Sequence, residues 1–253
     1  MRKPCLWLFD VTGANATRFT FDPAGDFYPL WSLDGSRIIW ASNRKGESQL
    51  YQKAVNGTGQ EEVFLDTNKN QLIRPFDWSR DGRFFIYSEN SPKTRGDIWV
   101  WPLADKQTPW PFAATEAREG GAKLSPDGRW LAYASDETGR PEIYVQRFPE
   151  RGGKRQVSTG GGAGIRWRQD GKELFYHVLD GKLMALPVKS GAGFEVGPLV
   201  ALFEFRRGDT TGADLPSYDA TADGQRFLLN AMVETPTAAP LTVVVNWAAG
   251  AKK

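Results

Sequence analysis

A dipeptide, Asp-Gly, returns along this chain at nearly regular intervals, and this repetition limits the fold more than any other feature. The pairs are separated by 47, 46, 43 and 53 residues and stand at Asp34-Gly35, Asp81-Gly82, Asp127-Gly128, Asp170-Gly171 and Asp223-Gly224. Periods of this length are typical of propeller blades, in which each repeat is one small sheet. A sixth pair, Asp180-Gly181, breaks the period, and we interpret it as another turn within the fourth repeat.

Large apolar residues follow each periodic Asp at fixed distances. Four residues later stand Ile38, Phe85, Leu131, Leu174 and Phe227, and six residues later stand Trp40, Tyr87, Tyr133, Tyr176 and Leu229. A period of two predicts a β-strand with a packed face. Gly provides the positive φ of a tight hairpin, and the Asp side chain can hydrogen-bond the backbone of its own turn. Each Asp-Gly pair therefore predicts the hairpin between the first and second strands of a repeat.

Two further strands complete each repeat, so the predicted fold class is all-β: a β-propeller of four-stranded antiparallel blades, with five to six blade positions and incomplete terminal blades. Such sheets bury both faces by stacking on their neighbours. We predict a single domain, 1–253, with full blades at 27–66, 73–115, 119–159 and 163–205. Residues 1–26 would supply the last two strands of a partial blade, and 216–248 the last partial blade.

Two expectations concern packing and closure. Trp31, Trp78 and Trp167 precede their Asp-Gly pairs at one repeat position, so we predict that all three are largely buried between sheets. Unpaired terminal strands would leave exposed sheet edges, so we predict that Thr17–Phe21 lies in one sheet with Leu241–Trp247.

Charge and composition exclude several classes of partner. Lys plus Arg (32) nearly cancels Asp plus Glu (30), which leaves no large cationic field, so no nucleic-acid partner is expected. No apolar run is long enough to span a membrane, and the segment after Met1 is too short for a signal peptide, so we expect no membrane insertion by this chain. The single cysteine, Cys5, leaves the compartment undecided.

Each possible catalytic or metal motif in the sequence has a plainer structural interpretation. The only histidine, His177, lies in a predicted second strand and is read as a packed histidine rather than a general base. The run 160–164 is read as a flexible loop between blades, since it precedes a strand and lacks a phosphate-loop ending. A partial calcium-loop pattern at 66–77 has Gln71 where such a loop needs glycine. The sequence thus predicts no catalytic residue, no metal and no cofactor.

Loops at one edge of the blades are the predicted binding surface, because loops on a rigid scaffold vary freely. We expect a protein or peptide partner, leave a small ligand as an alternative, and leave the oligomeric state open. The candidate binding residues are Asn43, Arg44, Arg95, Asp136, Arg140, Arg166, Arg206 and Arg207.

The repeat motifs resemble those of TolB-like, WD-like repeat propellers, through runs such as 30–38 and 124–133. Through 139–145, 156–162 and 241–247 the chain also resembles the C-terminal propellers of bacterial eukaryotic-like Ser/Thr protein kinases. That resemblance implies a sensor or binding role and an extracytoplasmic or periplasmic location; no kinase motif is present, so kinase activity is not implied.

The predicted function is accordingly a non-catalytic binding or sensor propeller that recognises a protein or ligand. The alternative is a propeller enzyme, of lyase or lactone hydrolase type, acting in the central channel. The strands predicted to line that channel offer Asp77 and Asp219 as carboxylates. A fold alone does not decide between the two.

Overall fold

A computed structural model describes residues 3–10, 15–65, 72–91, 93–104, 108–191, 193–206, 217–232 and 241–244. The regular elements of these residues are all β-strands. The chain divides into two compact units, 1–116 and 117–253. Whether 1–253 forms a single domain stays a prediction.

The first unit contains one two-stranded and two four-stranded antiparallel sheets. The small sheet consists of β1 (Trp7–Phe9) and β2 (Ala16–Arg18). Blade 1 consists of β3 (Asp26–Trp31), β4 (Arg37–Lys45), β5 (Glu47–Ala54) and β6 (Glu62–Leu65). Blade 2 consists of β7 (Ile73–Trp78), β8 (Phe84–Glu89), β9 (Asp97–Pro102) and β10 (Trp110–Ala113). Within each blade the strands pair in chain order.

The second unit continues the pattern with three sheets. Blade 3 consists of β11 (Glu119–Leu124), β12 (Trp130–Ser135), β13 (Glu142–Arg147) and β14 (Arg155–Gln156). Blade 4 consists of β15 (Ala163–Trp167), β16 (Glu173–His177), β17 (Lys182–Ser190), β18 (Phe194–Val196) and β19 (Val200–Glu204). The last sheet consists of β20 (Tyr218–Ala220), β21 (Phe227–Asn230) and β22 (Leu241–Val244). The predicted four-stranded antiparallel blade is confirmed in blades 1, 2 and 3, blade 4 has a fifth strand, and among the described residues the first and last sheets have two and three strands.

The Asp-Gly turns lie between the first and second strands of every repeat, as predicted. Their glycines have φ between 66° and 75°. In blade 1 the Ser32 hydroxyl donates a hydrogen bond to Asp34 Oδ1 at 2.6 Å and accepts one from the Arg37 amide at 2.9 Å. Ser79, Ser125 and Thr221 repeat both bonds in their own turns. The sixth pair, Asp180-Gly181, forms the turn between β16 and β17, within blade 4 as expected.

The core is made by the second strands, which are buried on both faces. The repeat positions Trp40, Tyr87, Tyr133, Tyr176 and Leu229 are all buried, and so are intervening residues such as Ile39, Ile86 and Phe175. Apolar clusters join blade 1 to blade 2 in the first unit, and blade 3 to blade 4 in the second. Stacking of neighbouring sheets therefore covers both faces, as the repeat predicts.

The tryptophan prediction is wrong for Trp31, which is 51% exposed. Trp78 and Trp167 are half-buried rather than fully covered. Trp78 packs against Phe85 with a centroid separation of 4.8 Å, and Trp167 donates its indole N–H to the Lys123 carbonyl at 3.1 Å. The same repeat position therefore meets different neighbours in different blades.

The terminal strands pair locally: among the described residues β2 pairs only with β1, and β22 pairs only with β21. Whether the two terminal segments lie in one sheet stays a prediction. Residues 245–247 of the expected C-terminal strand lie outside the described residues. Blade 4 carries an extra hairpin, because the C-terminal part of β17 pairs with β18 while its N-terminal part pairs with β19.

Candidate functional site

A surface pocket of about 480 Å³ lies at one edge of blade 3 and is a candidate site. The loop before β13 and the segment after β14 form its wall, so two connections of one blade meet there. Hydroxyl, amide, guanidinium and carboxylate groups line it, from Thr138, Gly139, Arg140, Glu142, Gln156 and Thr159. The lining therefore offers both hydrogen-bond donors and acceptors.

Glu142, at the start of β13, holds the two loops together. Its side chain is 1% exposed, and Oε1 accepts hydrogen bonds from Arg140 Nε at 2.8 Å and the Gly161 amide at 3.0 Å. Oε2 accepts from the Ser158 hydroxyl, which in turn accepts from the Ile143 amide at 2.7 Å. A buried carboxylate needs such partners to offset its lost hydration, and here they come from both loops.

Arg140 is the predicted candidate that lines this pocket. Its Nε binds Glu142 and its Nη2 donates to the Thr159 carbonyl, so the guanidinium plane is held on two sides. The Arg140 side chain nevertheless remains 55% exposed. Nη1 forms no hydrogen bond or ion pair with any residue that the structure describes. Its N–H groups are thus available to a ligand on a guanidinium that is held in place.

The glycine run after Thr159 begins between β14 and β15, between blades as predicted, and its last two residues belong to β15. Gly161 and Gly162 serve close packing rather than flexibility. A Cβ at Gly162 would lie 2.6 Å from Ile143 Cγ1, and one at Gly161 would lie 3.1 Å from Leu179 Cγ. Leu179 itself is 60% exposed. An apolar side chain from blade 4 therefore lies beside the segment that borders the polar pocket.

Two other candidates, Asn43 and Asp136, are used inside the fold. Each stands nine residues after its turn Asp, and each side-chain Oδ1 accepts a backbone amide just before the first strand of its blade. The Gly25 amide donates to Asn43 at 2.8 Å, and the Arg118 amide donates to Asp136 at 2.9 Å. These residues close the edge of their blades and are engaged there.

Arg44 is likewise committed to a cluster within the first unit. It is ion-paired with Glu61, lies 3.3 Å from Asp26 Oδ1 and 3.9 Å from Asp22 Oδ2, and has 15% of its side chain exposed. Its guanidinium also lies 4.1 Å from the centroid of Tyr51. Three carboxylates balance the charge of Arg44, and little of its side chain is exposed. Arg44 is therefore poorly placed to bind a partner.

The remaining candidates are not among the residues that line the pocket. Arg166 lies within β15 and donates from Nε to Asp219 Oδ1 at 2.8 Å. Arg95 and Arg206 are exposed, and Arg207 lies outside the described residues. Of the eight predicted residues, Arg140 lines the pocket.

His177 is packed, as the sequence interpretation has it. It lies at the end of β16, is 1% exposed, and contacts the Tyr218 ring edge-on at 6.3 Å between centroids. The imidazole packs against Gly164 of the neighbouring strand, where a Cβ would lie 2.6 Å from Nδ1. The imidazole therefore leaves no room for a side chain at position 164. The imidazole faces the interior of the second unit.

Sequence reasoning missed Glu142, Gln156 and Thr159. One signal was present: Glu142 directly precedes the apolar residues 143–145 of its strand, and a charged residue in such a place indicates a buried, bonded carboxylate. Burial, followed by the charge of Glu142, raises the pKa of Tyr176 to about 12. Tyr176 therefore stays neutral behind the pocket at ordinary pH.

The described residues contain no group of three or more His, Cys, Asp or Glu that could hold a metal ion. No helix long and apolar enough to cross a membrane occurs among them. The residues of the partial calcium pattern at 66–71 lie outside this part of the chain.

Repeated four-stranded antiparallel sheets that stack through both faces define this fold as a β-propeller. Among solved structures it is similar to TolB from Acinetobacter baumannii, with a TM-score of 0.68 and 18% identity over 91% of this chain and 54% of that one. The β-propeller domain of Cps50 (Swd1) from Myceliophteria thermophila gives a TM-score of 0.57 and 11% identity over 91% and 74%. The chain thus has the fold of TolB-like and WD-repeat propellers.

The similar structures also include an enzyme. Oligogalacturonate lyase in complex with manganese has a TM-score of 0.61 and 14% identity, covering 90% of this chain and 68% of that one. No family model matches the chain. Among curated proteins, Tricorn protease homolog 1 of Streptomyces coelicolor is 26% identical over 220 residues, which are 87% of this chain and 18% of that protein. The chain therefore spans less than a fifth of that relative and about half of TolB.

Proposed function

We propose that this propeller is a non-catalytic binding module that recognises an extended peptide segment of a partner protein at the edge of blade 3. The observation behind this proposal is that Glu142 and Thr159 hold the guanidinium of Arg140 in place and leave its Nη1 for a ligand. A donor fixed before binding loses little side-chain entropy when its partner arrives. A peptide carbonyl or carboxylate is the acceptor that suits it.

The bonding of Glu142 supports recognition over catalysis. A general base needs an oxygen free to take a proton from the substrate. Both oxygens of Glu142 already accept hydrogen bonds, from Arg140, Gly161 and Ser158. Glu142 therefore acts as a positioning residue for the pocket wall.

The surroundings of the pocket favour a peptide over a small charged ligand. The charges of Arg140 and Glu142 offset each other, and the hydroxyls of Thr138 and Thr159 can pair with a peptide backbone. Leu179 adds an exposed apolar contact next to Gly161. Polar groups that set orientation beside an apolar anchor are typical of peptide-binding surfaces.

The sensory role and the location outside the cytoplasm rest on the resemblance to kinase-linked propellers. Immunoblots of fractionated source cells should find the protein in the envelope or outside the cell. Recovery only in the cytosol would contradict that part of the proposal.

Selection from a random peptide library displayed on phage tests the binding site. We expect enriched peptides whose Kd rises at least about tenfold when Arg140→Ala removes the fixed donor, a loss of about 1.4 kcal/mol. Arg129→Ala is the matched control, because Arg129 is also 55% exposed and lies in the Asp-Gly turn of the same blade.

Three results count against the site. The library could yield no enriched peptide, the selected peptides could bind Arg140→Ala as well as wild type, or Arg129→Ala could weaken binding equally. Circular dichroism melting of both variants checks that the blade is intact.

A further inference from the structure

The small sheet β1–β2 presents an aromatic surface that no described residue of the first unit covers. Trp7, Phe9 and Phe21 are 50%, 64% and 65% exposed, and we call these three residues the aromatic face. Leu6 and Leu8 point the other way and pack on the cluster around Trp40 in blade 1. One side of this sheet is therefore anchored while its other side is open.

Two cations belong to the same surface. Arg18 is the direct cross-strand partner of Trp7, which places both side chains on one side of the sheet. The Arg18 guanidinium lies 5.3 Å from the Phe21 centroid, and Lys53 Nζ lies 5.6 Å from it. Their hydrogen bonds go to backbone carbonyls, of Thr20 and Phe19, and neither forms an ion pair with any described carboxylate. The surface thus carries two positive charges that the described residues leave unbalanced.

The backbone of β1 has an open edge as well. In blades 1, 2 and 3 the third strand is paired on both edges, whereas β1 pairs only with β2 among the residues described. An unpaired edge beside an apolar face can accept an added strand through main-chain hydrogen bonds.

From the open edge, the aromatic face and the unbalanced cations, we propose that β1–β2 is a docking site for an extended acidic segment of a partner protein, bound as an added strand. Alternate side chains of that strand would be apolar and contact Trp7 and Phe9. Its acidic residues would lie within reach of Arg18 and Lys53. This site is separate from the pocket of Arg140 and does not depend on it.

The probe is a fluorescein-labelled decapeptide in which Leu alternates with Glu, compared with the same peptide carrying Lys in place of Glu. We expect the acidic peptide to bind the full chain and the basic one to bind at least about tenfold more weakly, because opposite charges attract and like charges repel across the surface. Raising the salt from about 0.05 to 0.5 M should weaken the acidic complex through screening.

Variants separate the charges from the apolar face. Arg18→Glu combined with Lys53→Glu should weaken binding at least about tenfold, and Trp7→Ser combined with Phe9→Ser should abolish it. Lys45→Glu, at an exposed lysine of the same unit, is the control and should weaken binding less. Arg140→Ala should leave this affinity unchanged, so failure here and failure of the blade 3 pocket are distinguishable.

Several outcomes overturn the proposal. Equal binding of both peptides, or no binding of either, shows that the surface does not select an acidic strand. Concentration-dependent dimerisation of wild type that Trp7→Ser with Phe9→Ser removes would assign the face to a second copy. Binding of phosphatidylserine vesicles that the acidic peptide fails to displace would assign it to a membrane. Melting curves check that each variant folds. The salt titration uses the wild-type chain alone, so it tests the proposal even where a variant does not fold.

Discussion

Folding lowers the pKa of the aspartates in the Asp-Gly turns. Hydrogen bonds from the Ser32 hydroxyl and then Ser36 lower the pKa of Asp34 to about 2. The Ser79 hydroxyl has the same effect on Asp81, and Arg168 replaces the serine as the main cause at Asp170. The ionised form of each carboxylate is therefore part of the turn.

A depressed pKa fixes the direction of the pH dependence. Asp34 contributes stability that is fully present above its unfolded pKa, near 4, and is lost as pH falls through its folded pKa, near 2. We predict that the difference in unfolding free energy between wild type and Asp34→Asn is constant near neutral pH and shrinks between about pH 4 and pH 2. Urea unfolding across this range measures it.

A matched control is Glu150→Gln, at an exposed carboxylate with no hydrogen bond or ion pair to any described residue. The difference in unfolding free energy between wild type and Glu150→Gln should change less over the same pH range. A difference for Asp34→Asn that does not vary with pH would show that the turn does not depend on the ionised carboxylate.

Equivalent tryptophans should differ in their contribution to stability. Trp78 packs against Phe64 and Phe85 at 5.5 and 4.8 Å, whereas Trp31 is 51% exposed. We predict that Trp78→Ala costs about 3 kcal/mol, as for large packed aromatics, and that Trp31→Ala costs less than about 1 kcal/mol. Chemical denaturation of both variants tests this. Similar losses would mean that repeat position, rather than local packing, sets the contribution.

At the level of strands, the first strand of each of blades 1 to 4 has a register shift, and in blades 1, 3 and 4 a residue of positive φ stands there at one repeat position. The residue there has positive φ: Gly121 in blade 3 at 63°, Gly164 in blade 4 at 67° and Tyr28 in blade 1 at 55°. The register shifts beside each of them. Glycine suits this conformation because other residues are strained in it, by about 1–2 kcal/mol. Tyr28 offsets that strain by packing its ring against Arg74, at 5.4 Å.

The bulge glycine of blade 4 is predicted to tolerate no side chain. Gly164→Ala would combine a strained φ with a Cβ 2.6 Å from His177 Nδ1, so we expect a loss of about 2 kcal/mol or more. Gly160→Ala is the control, because a Cβ there meets nothing within 4 Å and its φ is not positive. Thermal unfolding of the pair provides the measurement. Equal melting temperatures would contradict the packing argument.

On the scale of the molecule, each unit carries its own core, and the two candidate surfaces lie in different units. The aromatic face belongs to 1–116, and the Arg140 pocket belongs to 117–253. The formal net charge of +2 is small, so neither surface depends on a general attraction to polyanions. We therefore expect local contacts to decide binding at each surface. Strong salt dependence is expected only at the aromatic face, where Arg18 and Lys53 take part.

The sequence by itself determined the repeat, the strands and the turns, because these depend on local chemistry. A positive φ at glycine, a serine and an aspartate two residues apart, and apolar residues at a period of two act within a few residues of one another. The buried positions of Trp40 and Tyr133 followed directly from that pattern.

Only the tertiary structure decided which polar residues are available to a partner. Asn43, Asp136 and Arg44 look like loop residues in the sequence, yet their bonds go to Gly25, Arg118 and Glu61, which lie 18, 18 and 17 residues away. Arg140 differs because Glu142 and Thr159 fix part of its guanidinium and leave the rest exposed. Whether a polar side chain is already bonded within the fold depends on contacts between segments that are distant in sequence. A repeat motif carries no information about such contacts.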